Sequence, residues 1–255
     1  MRFASLGSGS KGNGTLFETE ETTILVDCGF SLKQTEIRLQ RLGKALDEID
    51  AILVTHEHGD HLGGVRRLAK KTGCPVWMTS GTAAEAERRH GLFDSVRVIG
   101  GFERFSIGAI EVSPFHVSHD AEEPIQFTFS NGKQRVGLLT DTGEVSSHIE
   151  RQLDGCDALL LECNYDPDML AIGPYPYSLK KRVMGRLGHL SNQQAAMLLH
   201  EIDTSSLQHL VVMHLSEQNN CEEKAVSAVS GALGCEKKWI SIASQKDGLG
   251  WREIV

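Results

Sequence analysis

An α/β or α+β fold is what the 255-residue chain predicts, on three observations. Short β-branched and apolar runs alternate with segments of helical periodicity, the β-rich runs gather in two separate parts of the chain, and glycine-rich or Asn-Gly turns separate them. RFASL, TLFET and TTILVDC read as strands in quick succession. Ser31 with Gln34 makes a capping-box pattern, and Leu32, Leu39 and Leu42 give a helical stripe ending at Gly43. AILVT is a short buried strand, VRRLAKKTG a helix closed by Gly73, PVWMT a strand, and a helix runs from Ser80 to about His90. SVRVI, IGAIEVSPFHV, IQFTFS and QRVGLLT make the middle β-rich, with Asn131-Gly132 predicting a hairpin between the last two. The last third alternates again: strand DALLLEC, helices after Ser178 and Ser191, strand HLVVMH, a helix from about Glu222, and strand WISIA. No repeat, low-complexity segment or Pro/Ser-rich linker divides the chain, so one domain over residues 1–255 is expected.

Composition excludes several classes. With 40% hydrophobic and 24% charged residues the chain is that of a globular protein, not a disordered, collagenous or coiled-coil one. No run of about 18 apolar residues is present to span a membrane. MRFASLGSGSKGNG has no apolar stretch long enough for a secretory signal, so a cytoplasmic protein is expected. The six cysteines form no CxxC pair, and without an export signal they are expected to stay reduced. A net charge of −8 argues against a nucleic-acid partner only if total charge, rather than the local field, is the right measure.

Gly7, Gly9 and Gly12 spell GxGxxG after a strand, with Asp27 twenty residues beyond Gly7. A dinucleotide site needs a helix next, because the pyrophosphate rests on that helix's N-terminus. TLFETEETTILVD reads instead as two strands and a turn, so the glycines are expected to form a loop. No Walker GK[ST] follows either.

The segment His56-Glu57-His58-Gly59-Asp60-His61 is different in kind. His56, His58, Asp60 and His61 fall within six residues directly after the strand AILVT, in a chain with only 11 histidines. Alternate side chains of an extended segment share a side, so His56, His58 and Asp60 can converge, and His61, opening the next helix, can turn towards a second ion. Imidazole with carboxylate suits zinc, manganese or iron. Further ligands are expected where other strands leave their sheets: His119 after SPFHVSH, Asp141 after GLLTD and His214 after HLVVMH. His116 competes with His119, which is preferred for its place at the strand exit.

HEHGDH after a short apolar strand, with Asp27 before it and His119, Asp141 and His214 after it, resembles the metallo-β-lactamase fold superfamily. The resemblance implies a four-layer αββα sandwich. It implies that His56, His58 and His119 hold one ion, that Asp60, His61 and His214 hold a second, that Asp141 bridges them, and that Asp27 supports the site from behind the ligands. The superfamily hosts several hydrolyses and some redox chemistry, so the fold alone leaves function open. Asp141 at the bridging position, rather than a thiolate, and a full ligand set at both sites point to its two-metal hydrolases.

Gly188-His189-Leu190-Ser191 followed by His214-Leu215-Ser216 resembles nucleic-acid-processing members such as ribonuclease Z, which implies that His189 protonates a leaving oxygen. Its alternative is a residue beside the Ser191 helix cap. Tyr175, Tyr177, Lys180, Lys181, Arg182 and Arg186 crowd the stretch before it, with no acidic residue from Leu170 to Ser191. Cations interleaved with aromatics suit a phosphate backbone and stacked bases, whereas the ordinary meaning of such a run is a solvated helix face. GSGSKGNG, GPYPYSLKKR before GHLSN, and HLSEQNN resemble the compact bacterial branch of the YycJ type, also called WalJ or VicX. That branch implies a 5′-to-3′ DNA exonuclease in which a hydroxide bridging two zinc or manganese ions (iron being the third option) attacks phosphorus. Asp60 would be essential through the second ion, Lys180, Lys181 and Arg182 would hold phosphates, and Asn219 and Asn220 would contact substrate or support the ligands. Only 47 residues separate Asp141 from His189, too few for an inserted β-CASP domain. Loops or a second copy of the chain in a homodimer would then enclose the substrate. A thioester or ester hydrolase of the glyoxalase II type shares the ligands and is the rival reading; a non-enzymatic module would not need them.

Overall fold

In the computed structural model, residues 1–91, 93 and 95–255 are described. Two seven-stranded sheets pack face to face. The first holds β1 (Arg2–Gly7), β2 (Gly14–Glu18), β3 (Thr23–Val26), β4 (Ala51–Leu53), β5 (Val76–Met78) and β6 (Val96–Val98) in that order, with β14 (Leu249–Glu253) beside β1. The second holds β7 (Phe105–Ile107), β8 (Ile110–His116), β9 (Ile125–Ser130), β10 (Arg135–Leu139), β11 (Ala158–Glu162), β12 (His209–Met213) and β13 (Ser241–Ile242). Each sheet is antiparallel at one end and parallel at the other: β3 through β6 run parallel, as do β10 through β13.

Both faces of the inner strands β3, β4, β10, β11 and β12 are buried, so they read as continuous apolar runs, and period-2 alternation decides which layer each residue joins. Ile24 and Val26 of β3, Ala51 and Leu53 of β4, Val136 and Leu138 of β10, and Ala158 and Leu160 of β11 point between the sheets. The Phe17 and Phe129 rings stack across that layer with centroids 3.9 Å apart. The intervening Leu25 and Ile52 face outward, onto α1 (Leu32–Arg41) and α3 (Val65–Thr72) through Leu39, Val65 and Leu68. A short α2 (Gly59–Leu62) precedes α3, and α4 (Ser80–His90) follows β5. On the other side, Leu139, Leu159 and Leu161 meet α5 (Ser147–Leu153), α8 (Asn192–Glu201) and α9 (Glu222–Leu233). Between β11 and α8, α6 (Pro167–Ile172) and α7 (Tyr177–Val183) share a small cluster of Leu170, Tyr165 and Val183. The layers are therefore helix, sheet, sheet, helix, the αββα sandwich. No described helix is long and apolar enough to cross a membrane.

Several local expectations are corrected. IGAIEVSPFHV is not one strand: Gly108, at φ +53°, turns the chain between β7 and β8, and the Ala109 amide donates to Thr22 Oγ1 at 3.0 Å. Ser31 caps α1 by accepting from the Gln34 amide at 3.4 Å, without the reciprocal bond, whereas the full capping box opens α8 at Ser191 and Gln194. The final strand β14 returns to the first sheet, so that sheet is not built from the first half of the chain alone. The glycine-rich residues 7–14 run directly into β2 and β3, and the absence of a following helix removes the dinucleotide reading.

Candidate metal centre

Parallel strands end on the same side of a sheet, and this sandwich aligns the carboxyl ends of β3, β4, β10, β11 and β12 along one edge. Asp27, His56, Asp141, Glu162 and His214 stand at or just past those ends. Among the described residues, only Asp27, Asp141 and His214 are non-glycine residues at positive φ (60°, 54° and 51°). A left-handed conformation costs an ordinary residue free energy, so its concentration here marks backbone forced by its surroundings to aim three side chains inward.

Hydrogen bonds then choose the ring tautomers. Asp27 is buried and accepts from the Thr55 amide (2.9 Å), from Thr55 Oγ1 (2.9 Å) and from His61 Nδ1 (2.8 Å). Thr55 Oγ1, having given its proton to Asp27, accepts from His56 Nδ1 at 2.9 Å. His119 Nδ1 donates to the Gly188 carbonyl at 3.0 Å. The Nε2 lone pairs of His56, His61 and His119 are thereby left facing the centre. The glycine-rich opening loop braces the same edge: Ser8 Oγ accepts from the His214 amide (2.9 Å), and the Asn13 amide donates to the Asp60 carbonyl (2.7 Å). Gly29 lies against Asp60 so closely that a Cβ there would sit 1.8 Å from its carbonyl oxygen.

Two sets of three form side by side. His56, His58 and His119 make one, with His56 Nε2 and His119 Nε2 lying 3.1 and 3.3 Å from His58 Nδ1. Asp60, His61 and His214 make the other, with Asp60 Oδ2 3.5 Å from His61 Nε2 and 3.7 Å from His214 Nε2. Asp141 adjoins both: it groups with His56 and His61, its Oδ2 3.2 Å from His61 Nε2 and its Oδ1 3.6 Å from His214 Nε2. The extended-segment argument fails for Asp60, which joins His61 rather than His56 and His58 because the chain turns helical at Gly59.

Electrostatics match a cation-binding site. Burial, with the neighbouring His61, holds His56 well below the usual imidazole range, and burial lowers His119 as well. Burial opposes ionisation of Asp141, but His214 and His61 outweigh it and keep the carboxyl well below its usual range; Asp60 is lowered by His61 and His214 in the same way. Burial likewise works against protonated His214, yet Asp141, Asp60 and Glu162 push it up to about 10. Asp141 Oδ2 and His214 Nε2 are both buried without a hydrogen-bond partner, an arrangement that is costly unless something else meets them. The donor set of imidazole nitrogen and carboxylate oxygen fits divalent metal ions.

A cavity of about 200 Å³ opens over the centre. It is lined by His58, Asp60, His119, Asp141, His189 and His214 together with Tyr175, Leu179, Arg182 and Val183. His189 is oriented by Nδ1, which donates to Glu162 Oε1 at 2.8 Å. Glu162 is fully buried, and sequence reasoning passed over it within DALLLEC. The signal was present: it is a charged residue closing an apolar strand, the pattern used for Asp141 and His214. His116, the competitor of His119, is still in β8 and packs on Phe102, its ring centroid 4.7 Å away.

The basic stretch resolves residue by residue. Arg182 faces the cavity, with Nε donating to Asp120 Oδ2 at 2.6 Å. Lys180 turns away and donates to the Ala171 carbonyl, Arg186 pairs with Glu144, and Lys181 is exposed outside the cavity lining. The expectation of substrate contact for Asn219 and Asn220 is corrected: both are buried. Asn220 Nδ2 donates to the Cys163 carbonyl (2.7 Å) and Asn192 Oδ1 (2.8 Å), while the Asn219 carbonyl accepts from the Asp166 amide. They brace loops behind the centre.

The family described as Beta-lactamase superfamily domain matches residues 22–215. The chain is 37% identical to Exodeoxyribonuclease YycJ of Bacillus anthracis over 88% of its own length and 86% of that protein's. It is 36% identical to Exodeoxyribonuclease WalJ of Streptococcus pneumoniae over 88% and 85%. The fold superposes on the metallo-beta-lactamase fold protein YhfI from Bacillus subtilis with TM-score 0.77 at 16% identity, covering 98% of both chains. From its motifs, its two sheets and these likenesses together, the chain belongs to the beta-lactamase superfamily, on the metallo-β-lactamase fold.

Proposed function

We propose that this chain is a phosphodiester hydrolase that binds two divalent ions, zinc or manganese with iron as the third option, and degrades DNA from the 5′ end. The observation carrying the proposal is the pair of adjoining ligand sets under one cavity that Arg182 and Tyr175 also line. In this reading His56, His58 and His119 hold one ion, Asp60, His61 and His214 the other, and Asp141 both. Such ions, when bound, acidify water and accept negative charge on a phosphoryl oxygen. Because these residues come from both sheets, the whole chain is proposed to act as one catalytic domain.

The chain's own residues supply the rest. Asp27, through Thr55 and His61, holds two rings in the tautomer that leaves Nε2 free. Glu162 accepts the Nδ1 proton of His189, so when the ring carries both protons His189 Nε2 is the atom that would deliver one to the departing 3′ oxygen, leaving the neutral ring still bonded to Glu162. Arg182 offers a guanidinium to phosphate at the mouth. The relatives named exodeoxyribonucleases support DNA as substrate. The glyoxalase II-type reading shares the ligands but leaves Arg182 and Tyr175 without a task.

Metal analysis of the purified protein, followed by assay on end-labelled DNA, RNA and a thioester, tests the proposal. The wild type should release nucleotides from DNA, and Asp60→Ala should not. An Asp60→Ala protein free of contaminating nuclease that cuts DNA at the wild-type rate would overturn the scheme. Thioester hydrolysis without nuclease activity would select the rival reading.

A further inference from the structure

The glycines that spell GxGxxG open no helix, but they bring one lysine to a particular place. Gly9 and Gly12 stand at φ +141° and +143°, where a Cβ would lie 2.8 Å from Gln245 Oε1 and 2.6 Å from the Phe30 ring respectively. That close approach lets Gln245 clamp the loop, its Oε1 accepting from the Lys11 amide (2.7 Å) and its Nε2 donating to the Gly12 carbonyl (2.8 Å). Asn13 Oδ1 accepts from the Gly9 amide at 2.9 Å. The backbone at Lys11 is therefore fixed, while its side chain stays exposed.

Ser10 lines the cavity over the ligand sets, and Lys11, the next residue, lines a second basin of about 490 Å³. The loop after His214 does the same, with Ser216 lining the cavity and Glu217 the basin. Cavity and basin are thus neighbours, and the two loops meet where Lys11 Nζ pairs with Glu217 Oε2 at 2.6 Å. Arg38 and Lys246 border the basin as well, so it has three cations and one carboxylate in a chain of net charge −8. Arg38 holds loops, donating to the Leu6 and Lys246 carbonyls and lying 4.1 Å over the Phe30 ring. Lys246 Nζ has no hydrogen bond or ion pair among the described residues. Exposed pairs contribute little to stability, so Lys11 can exchange Glu217 for another anion at small cost.

A small ester is contained by the catalytic cavity, whereas a polymer has to leave it, and the basin offers a polyanion a cationic surface one residue away. We infer that the basin at Lys11 and Lys246 binds internal phosphodiesters of the DNA strand being cut, on the 3′ side of the cut, the strand leaving the cavity past Ser10 and Ser216. This rests on the nuclease reading above and adds where the uncut part of the substrate is held.

The test compares kcat/KM for the first cut of a dinucleotide and of a single-stranded dodecamer with the same 5′ end. The proteins are metal-loaded wild type, Lys11→Ala, Lys246→Ala, the double variant and Glu217→Gln. A dinucleotide has only the scissile phosphodiester and offers none to the basin. The wild type should favour the dodecamer through a lower KM. Each lysine variant should lose part of that advantage and the double variant all of it, with dinucleotide cleavage retained. A single-strand phosphate contact contributes a slope of about 0.7 in log affinity against log salt, so between about 50 and 200 mM salt the double variant should lose about sevenfold less of its dodecamer kcat/KM than the wild type. Glu217→Gln should raise dodecamer kcat/KM, opposite in sign to Lys11→Ala, whereas a pair that only stabilised the loops would move both variants the same way. A wild type without a length advantage, a double variant that keeps it, a loss shared equally by the dinucleotide, or a Glu217→Gln protein that behaves like Lys11→Ala overturns the inference and leaves the nuclease reading standing. A metal-loaded wild type that cuts neither substrate overturns the nuclease reading, and the inference with it.

Discussion

Replacing Asp27 by Asn tests the logic of the centre with little change of shape. Asn tolerates the left-handed conformation found at position 27, so the backbone at φ 60° is not the variable. What changes is one oxygen. In the native chain Oδ2 accepts from both Thr55 Oγ1 and His61 Nδ1, at 2.9 and 2.8 Å. With an amide nitrogen in that place, His61 Nδ1 can only accept, so its proton moves to Nε2, the atom 3.2 Å from Asp141 Oδ2 that would meet the ion. Placing the amide the other way round opposes it to the Thr55 amide, a buried donor 2.9 Å away. Either way one charge-assisted bond, worth about 1.5–3 kcal/mol, is lost. Changes to groups that orient ligands typically weaken metal binding by about 10- to 100-fold, and at about 1.4 kcal/mol per tenfold the two estimates agree. Competition against a chromophoric chelator measures the affinity, and ¹⁵N NMR of the imidazoles reports the tautomer. Wild-type affinity with His61 Nδ1 still protonated in Asp27→Asn would refute the reasoning.

His189→Ala should lower turnover by roughly 10²- to 10⁴-fold, the range of general acid catalysis, with metal content unchanged; metal loss by elemental analysis would instead make His189 a ligand, as its grouping with Asp141, Glu162 and His214 allows. Phe17→Ala removes one ring of the Phe17–Phe129 stack between the sheets and should destabilise the protein by about 3–5 kcal/mol in urea unfolding. Alkylation of the native protein should modify exposed Cys221 and spare Cys28 and Cys156, whose thiols burial pushes up to about 11; peptide mass mapping reads the difference. In chelator-treated protein His214 sits at about 10, against about 6.5 when unfolded, so its contribution to stability is fully present below about 6.5 and lost as pH rises towards 10. Unfolding of the metal-free protein at several pH values should show that decline, and a stability that rises through the same interval would contradict it.

The local signals were strong wherever one residue type does one job. HEHGDH, the glycine closing α3 and the Asn-Gly hairpin each follow from chemistry within a few neighbours, and so they were legible. The strand-exit rule located His119, Asp141 and His214 for the same reason: a polar residue ending an apolar run has left the sheet. The identical rule applied to Glu162 was not used, because DALLLEC looked like a buried strand throughout. Elements of weak periodicity escaped as well. β14 mixes apolar and charged residues at a sheet edge, and α5 is a helix of seven residues whose stability comes from packing rather than propensity.

Tertiary structure decided which neighbours share a task. Strand alternation placed Asp60 beside His56 and His58, whereas the family resemblance grouped it with His61 and His214; a helix starting at Gly59 rotates it into that second set. Lys180, Lys181 and Arg182 are equivalent as text; about 100° of helical rotation per residue leaves only Arg182 facing the cavity, with Asp120 from another loop to fix it. Asn219 and Asn220 read as polar residues after a ligand that contact substrate or support the ligands, and the fold buries them as loop braces. Residue type and short-range period, both properties of the chain, were enough to predict an α/β alternation and the candidate donor atoms, while the four layers followed from the family resemblance. Direction in space is a property of packed elements, and only that determined which donors meet and which cation faces the substrate.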